Sequence, residues 1–137
     1  MSKTRPLFTV VMPAYEVEKY LAKAVESIES QTFQEWELII VEDGSPDKTG
    51  SLAEELKEKD ERIRVIHHEQ NKGLSEARNT GIQHAVGRYI WFMDPDDTVD
   101  IDLLQQVADS LEKNRAKLVV FGHLEEYYNE DGSFAYA

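Results

Sequence analysis

Short runs of apolar, largely β-branched residues recur along this chain at positions 8–12, 38–41, 63–66, 89–93 and 118–121, separated by segments of a different period. Between the first two runs, Leu21, Ala24, Val25 and Ile28 follow the i, i+3, i+4, i+7 spacing that makes one stripe on a helix. Leu104, Val107, Ala108 and Leu111 repeat that spacing further on. From Thr49 to Lys59 the stripe is thinner, Leu52, Ala53 and Leu56 among Glu and Lys, as suits an outer, solvated helix. In 74–85 the small residues Ala77, Gly81 and Ala85 stand four apart, so this helix can approach its neighbour closely. Strands that are apolar without alternation are buried on both faces, which calls for helices on both sides of a parallel sheet, joined by right-handed crossovers. The expected fold is therefore α/β, a three-layer sandwich with a mostly parallel central sheet.

A chain of 137 residues suits one domain of this kind. Its 41% hydrophobic and 31% charged residues match a globular protein, not a disordered or membrane-spanning one. No repeat, linker or low-complexity tract interrupts it up to about Gly122. The remaining stretch, 123–137, is polar and aromatic, with a turn signal and no partner element, so the fold is expected to stop part-way. The apolar run ahead of Pro13 is too short for a signal core or a membrane span, and there is no Cys. A cytoplasmic location is expected, with a longer parent chain at the inner face of the membrane as the alternative. The net charge of −12 argues against gripping a nucleic-acid backbone, which needs a basic face. A small anionic ligand would need a local device: a divalent cation, a helix N-terminus or a placed Arg.

Ligands of open α/β sheets bind beyond the carboxyl ends of the strands. There the sequence places Pro13, Ala14, Tyr15 and Glu16, then Glu42, Asp43, Gly44 and Ser45, then 67–71, then 94–97. Acids dominate this rim. Asp94-Pro95-Asp96-Asp97 can be read as a turn that supplies the cap and first turn of a helix beginning near Asp100 or Ile101. One Asp suffices for a cap. Three in four positions repel one another, and Mg²⁺ or Mn²⁺ would relieve that, because hard cations take carboxylate and phosphate oxygens together. The residues alone leave both readings open.

Two further stretches have the same double character. VEDGSPD, 41–47, is a turn in which Ser45 or Asp47 could cap the next helix; equally, Asp43 could accept a base N–H of a nucleotide. NKGLSEARNTG, 71–81, opens a helix at Gly73 and carries Arg78 about one turn in. Arg78 either shares a solvated face with Glu76 or offers its forked donors to a diphosphate. His67 and His68 point to opposite faces of a strand and lack ligand spacing, so both read as ordinary residues.

The run VVMPAYEVEKYLAKAVESIESQTFQEWELIIVEDGSPDKTG, then NKGLSEARNTGIQHAVGRYIWFMDPDD, resembles the nucleotide-binding half of a family 2 glycosyltransferase over about residues 7–122. The resemblance implies a Rossmann-like glycosyltransferase A fold, truncated at the C-terminus, with 123–137 opening the acceptor-side half. It implies transfer of a sugar from a nucleotide-diphosphate-sugar donor, expected to be a UDP-sugar, to a hydroxyl of a sugar or glycan acceptor. Inversion, metal assistance and a place in cell-surface polysaccharide or glycan synthesis belong to the same expectation. Pro13, Ala14 and Tyr15 would line the nucleotide pocket, with Tyr15 against the base. Asp43 would hold a base N–H, and Arg78 would lie near the base or diphosphate. Asp94 and Asp96 match the outer acids of the family's Asp-any-Asp motif: Asp96 would ligate Mn²⁺ or Mg²⁺, and Asp94 would contact the ribose or the metal shell.

Two departures stand out. Many relatives have Asn where this chain has Glu16, and the family's catalytic base, an Asp or Glu, is expected beyond Ala137, so no catalytic residue is assigned. Homo-oligomerisation is left open. The main alternative is a domain that binds a nucleotide sugar without turning it over. A more distant one is a haloacid-dehalogenase-like phosphatase, whose Asp-x-Asp-x-Thr nucleophile motif fits Asp94 to Thr98; that fold needs a later Lys and an acidic pair on further strands, and no Asp-Asp pair follows Thr98. A dinucleotide-dependent oxidoreductase lacks its G-x-G-x-x-G after the first strand.

Overall fold

The computed structural model describes residues 5–114. Strands and helices alternate through it as β1 (Phe8–Ala14), α1 (Leu21–Glu29), β2 (Trp36–Glu42), α2 (Thr49–Lys59), β3 (Ile63–His67), α3 (Leu74–His84), β4 (Tyr89–Phe92) and α4 (Leu103–Asn114). The sheet has the order β3-β2-β1-β4 and every pairing is parallel. The fifth apolar run, 118–121, and the segment 123–137 lie outside the described residues.

Both faces of the two inner strands are covered. Phe8, Val10, Met12 and Ala14 of β1 pack with Leu38 and Ile40 of β2 against Leu21, Ala24, Val25 and Ile28 of α1, Ala53 of α2 and Leu104 of α4. The alternate residues Val11, Ile39 and Val41 face the other way, toward Ala77 of α3. This gives the three layers, and it explains why β1 and β2 read as unbroken apolar runs: every position in both is buried. Each large aliphatic side chain buried this way stabilises the fold by about 1.5–3 kcal/mol.

Glu37 breaks the apolar run of β2 and is only 6% exposed. Its carboxylate accepts hydrogen bonds from Thr9 Oγ1 at 2.6 Å, the Val86 N–H at 2.7 Å and Arg64 at 3.1 Å, which replace the water it has lost. Thr9 Oγ1 in turn accepts from the Gly87 N–H at 2.8 Å. The network ties the turn between α3 and β4 to the sheet centre and so fixes where β4 runs.

The order of the strands defines the cleft. From β1 the chain winds outward through β2 and β3, then crosses back to place β4 on the other side of β1. Strand order therefore reverses between β1 and β4, where ligands of open α/β sheets bind. The ladder between these strands pairs only as far as Val11 with Phe92, and Met93 N donates the last bond to Val11 O at 2.9 Å. In a parallel ladder a residue's N–H and C=O point to the same neighbour. Pro13, two positions on, therefore turns its donor-less nitrogen to the side that β4 has already left. A proline is tolerated in this inner strand because no ladder bond is required of it there.

The start of α4 departs from expectation. It begins at Leu103 instead of near Asp100 or Ile101, and its cap comes from elsewhere: Gln31, buried after α1, accepts the Leu104 N–H on Oε1 at 3.0 Å. The Gln31 amide also donates to Asp100 O at 2.6 Å, and Thr32 N donates to Ile101 O. The aspartates at 94–97 thus form a separate turn, in which Asp97 N donates to Asp94 O at 3.2 Å, and are not the first turn of the helix.

Candidate functional site

At the carboxyl rim, the segment after β1 lies between those after β2 and β4, so Pro13 to Glu16 sit with Asp43 on one side and the aspartates of 94–97 on the other. Pro13 and Ala14 are buried at the end of β1, whereas Tyr15 is 42% exposed. The carboxylate of Glu16 accepts a hydrogen bond from the Tyr15 hydroxyl and raises its pKa; burial and the charges of Glu16, Asp43 and Asp47 push the same way. Glu16 itself has φ of 52°, the left-handed region. Asn is enriched there among non-glycine residues, so this backbone suits the Asn that the family resemblance puts at the position of Glu16. The Glu16 N–H donates to Ser45 Oγ at 3.1 Å, so Ser45 joins the two rim loops and does not cap α2. That work falls to Asp47, whose carboxylate accepts the Thr49 N–H at 3.0 Å.

Asp43 is 3% exposed and its carboxylate is held from three directions. Oδ1 accepts from His68 Nδ1 at 2.7 Å and from Lys72 N at 2.9 Å, and Oδ2 accepts from Gly73 N at 2.9 Å. Burial would raise its pKa, but these donors outweigh burial and hold the carboxyl below the usual range. Asp43 is thus charged, fixed, and the anchor of the loop that leads into α3. Gly44 follows with φ of 70° and passes so near the next loop that a Cβ would come 2.6 Å from the carbonyl carbon of Gln70. Only glycine meets both demands.

His68 is not the ordinary residue expected from sequence. Its ring bridges Asp43 to Thr80 Oγ1 on α3, 2.8 Å from Nε2. His67 points the other way and sits between Glu42, 3.0 Å from Nδ1, and Glu54, 2.6 Å from Nε2. The signal that could have found His68 was its place directly after a strand on the same rim as Asp43.

Arg78 is not on a solvated face. Its Nε is buried without a hydrogen-bond partner among the described residues, and its guanidinium carbon lies 5.5 Å from the ring centroid of Phe92. Phe92 ends β4 two residues before Asp94, so Arg78 packs against the strand that leads into the acids. One carboxylate oxygen from each of Asp94, Asp96 and Asp97 lies within 4.8 Å of the other two. Asp97, expected at a helix start, therefore joins Asp94 and Asp96. Three convergent carboxylate oxygens are a donor set of the kind hard divalent cations take.

The family model described as glycosyl transferase family 2 matches residues 9–134. This chain belongs to glycosyl transferase family 2. Among curated relatives it is 43% identical to the uncharacterized glycosyltransferase EpsJ of Bacillus subtilis over 85% of this chain and 34% of that protein. It is 42% identical to the minor teichoic acid biosynthesis protein GgaB of the same organism over 81% of this chain and 13% of the relative. Among solved structures, S. aureus TarS 1–349 in complex with UDP-GlcNAc superposes with a TM-score of 0.74 at 30% identity, over 79% of this chain and 32% of that one. The fold is accordingly that of the glycosyltransferase A class, and family membership sets aside the phosphatase and oxidoreductase readings. The chain spans about a third of the length of EpsJ and of TarS 1–349. Among the described residues no helix is long and apolar enough to cross a membrane.

Proposed function

We propose that this chain is the nucleotide-sugar-binding part of a glycosyltransferase that moves a sugar from a UDP-sugar donor to a hydroxyl of a sugar or glycan acceptor, with inversion. The observation that carries the proposal is the convergence of three carboxylates at the reversal point of the sheet, on the opposite side of β1 from the fixed carboxylate of Asp43. Support comes from TarS, whose structures hold UDP and UDP-GlcNAc. Asp43 accepts a base N–H, and Tyr15 packs on the base. Pro13 and Ala14 form the floor of the nucleotide pocket. Arg78 gives the phosphates a cation that is already partly desolvated and so keeps its pull. Asp94, Asp96 and Asp97 would hold Mg²⁺ or Mn²⁺, which neutralises charge growing on a leaving diphosphate. Acceptor activation needs a base to take the hydroxyl proton; none of the residues above is assigned that role. GgaB, named for teichoic acid biosynthesis, supports a role in making cell-surface polymers.

Titration calorimetry with UDP tests the proposal. Mn²⁺ should tighten binding and Asp96→Ala should abolish the gain, while Arg78→Ala should weaken binding with or without metal. Equal affinity in Mn²⁺ and in chelator, with folded protein, would return the aspartates to an ordinary turn.

A further inference from the structure

An ionised carboxylate has about four acceptor positions. In Asp43 three are filled from inside the chain: two on Oδ1, by His68 Nδ1 and Lys72 N, and one on Oδ2, by Gly73 N. One position remains, on Oδ2. For it to select a ligand, the carboxylate must be held against rotation, since a free one would present either oxygen at many angles. The two backbone donors come from one loop and would move with it. His68 comes from a different place, the end of β3, and its N–H is paired with the Glu42 carbonyl at 2.8 Å. A carboxylate only accepts, so His68 Nδ1 carries the proton. On a neutral ring Nε2 then accepts from the Thr80 hydroxyl, and this second bond keeps the ring from swinging away.

We infer that His68 is a positioning residue for recognition of the nucleotide base: held by Thr80, it clamps Asp43 so that Oδ2 offers one acceptor to a base N–H. The inference rests on the reading above, in which Asp43 faces the base. The acceptor sets the class of ligand. Uracil offers a ring N–H where cytosine has a ring nitrogen lone pair, so a fixed carboxylate accepts the first and repels the second. Loosening the clamp reduces the preference for UDP over CDP, whereas general damage to the fold weakens both ligands alike.

Calorimetric titrations of UDP and CDP in Mn²⁺, on this chain and its variants, with circular dichroism and melting curves as controls for folding, test the inference. A hydrogen bond to a charged group is worth on the order of tenfold in affinity or more. His68→Ala should therefore lower UDP affinity about tenfold and shrink the UDP-over-CDP ratio by a similar factor. His68→Asn, whose amide N–H occupies the place of Nδ1, should restore much of the ratio. Thr80→Val should lower it about threefold, as expected for loss of one neutral hydrogen bond. Asp43→Ala is the reference. If it collapses the ratio and folded His68→Ala does not, the role of His68 is refuted and the base contact stands. If Asp43→Ala itself leaves the ratio unchanged, the base contact is wrong and the inference falls with it. Equal weakening of both ligands by His68→Ala would show a structural role only and would also refute it. Should His68→Ala fail to fold, Thr80→Val decides: an unchanged ratio there overturns the clamp.

Discussion

Gly81 sets the distance between α3 and the sheet, and replacing it tests whether packing or helix propensity governs this contact. A Cβ at Gly81 would lie 2.3 Å from Val11 Cγ1, 2.9 Å from Cγ2 and 3.1 Å from Cβ. Ordinary carbon contacts lie at about 3.5–4.0 Å, so the overlap exceeds about 1 Å. Rotating Val11 does not relieve it, because both of its methyl groups are too close and β-branched side chains are stiff. Either α3 lifts or β1 bends, and Val11 is in the fully buried inner strand. Overpacking of this severity costs about 3 kcal/mol, the upper part of its usual range. Against it, alanine in a helix interior gains about 1 kcal/mol over glycine. Gly81→Ala should therefore destabilise the chain by about 2 kcal/mol. Urea unfolding followed by circular dichroism measures this as a lower midpoint at constant slope. Val11→Ala should rescue: alone it leaves a cavity, and combined with Gly81→Ala the new methyl fills it, giving a favourable coupling of about 2 kcal/mol. Because Arg78 lies one turn before Gly81, the single variant should also bind UDP more weakly. A Gly81→Ala protein as stable as the parent would show that the close approach of α3 is not what this packing requires.

Gly44→Ala should cost about 3 kcal/mol or prevent folding, since φ is 70° and the new methyl would meet the backbone of Gln70 and Asn71; a melt within a few degrees of the parent would contradict this. Glu16→Asn should raise stability by about 0.5–1 kcal/mol, because asparagine adopts the left-handed region at lower cost, and a lowered urea midpoint would refute that. Hydrogen bonds from His67 to Glu42 and Glu54 raise the His67 pKa above its ordinary 6.5, against the opposing effect of burial. Their stabilisation is complete below 6.5 and is lost as pH rises through the higher folded value. Glu42 is lowered, its bonds from His67 and Ser45 outweighing burial, so its contribution is present above 4.5 and is lost as pH falls through the depressed value. Urea midpoints should therefore be highest between about pH 4.5 and 6.5, and His67→Gln should flatten the decline above that window; an unaltered decline would remove His67 as its cause.

The parts of this fold legible in the sequence are those governed by nearest neighbours. The four apolar positions of α1 are all buried, and α2 runs over Thr49–Lys59 as its stripe and flanking turn require. Strand β2 is longer than its apolar run because Trp36 and Glu37 precede it, and nothing local shows that Glu37 will be satisfied by Thr9, Arg64 and the Val86 N–H. The same holds for the start of α4, since Gln31, which caps it, is 73 residues away from Leu104 in sequence. In the site, the acids and Arg78 were legible by residue type and by position after a strand. His68 was not, because its meaning depends on Asp43 and Thr80, residues of two other elements.

The rim contains two sets of carboxylates that the fold treats in opposite ways. Asp43 and Glu42 are nearly buried, and each accepts hydrogen bonds from neighbouring loops and a histidine; that commitment lowers their pKa values and uses their charge to hold the chain together. Asp94, Asp96 and Asp97 lie partly or fully exposed, with oxygens within 4.8 Å of one another. At that separation each pair of charges repels by about 0.9 kcal/mol in water, and by more where the site is shielded. A helix N-terminus could have offset this, but the donors of α4 are directed to Gln31 Oε1 and to the Asp100 carbonyl. The turn that brings the three together, closed by Asp97 N on Asp94 O, therefore maintains a concentration of negative charge that the fold does not need for capping. A cation among the three acids would offset that repulsion, and Arg78, whose Nε is buried and whose guanidinium carbon lies 5.5 Å from the Phe92 ring centroid, would be the group to meet the phosphates of that cation's partner.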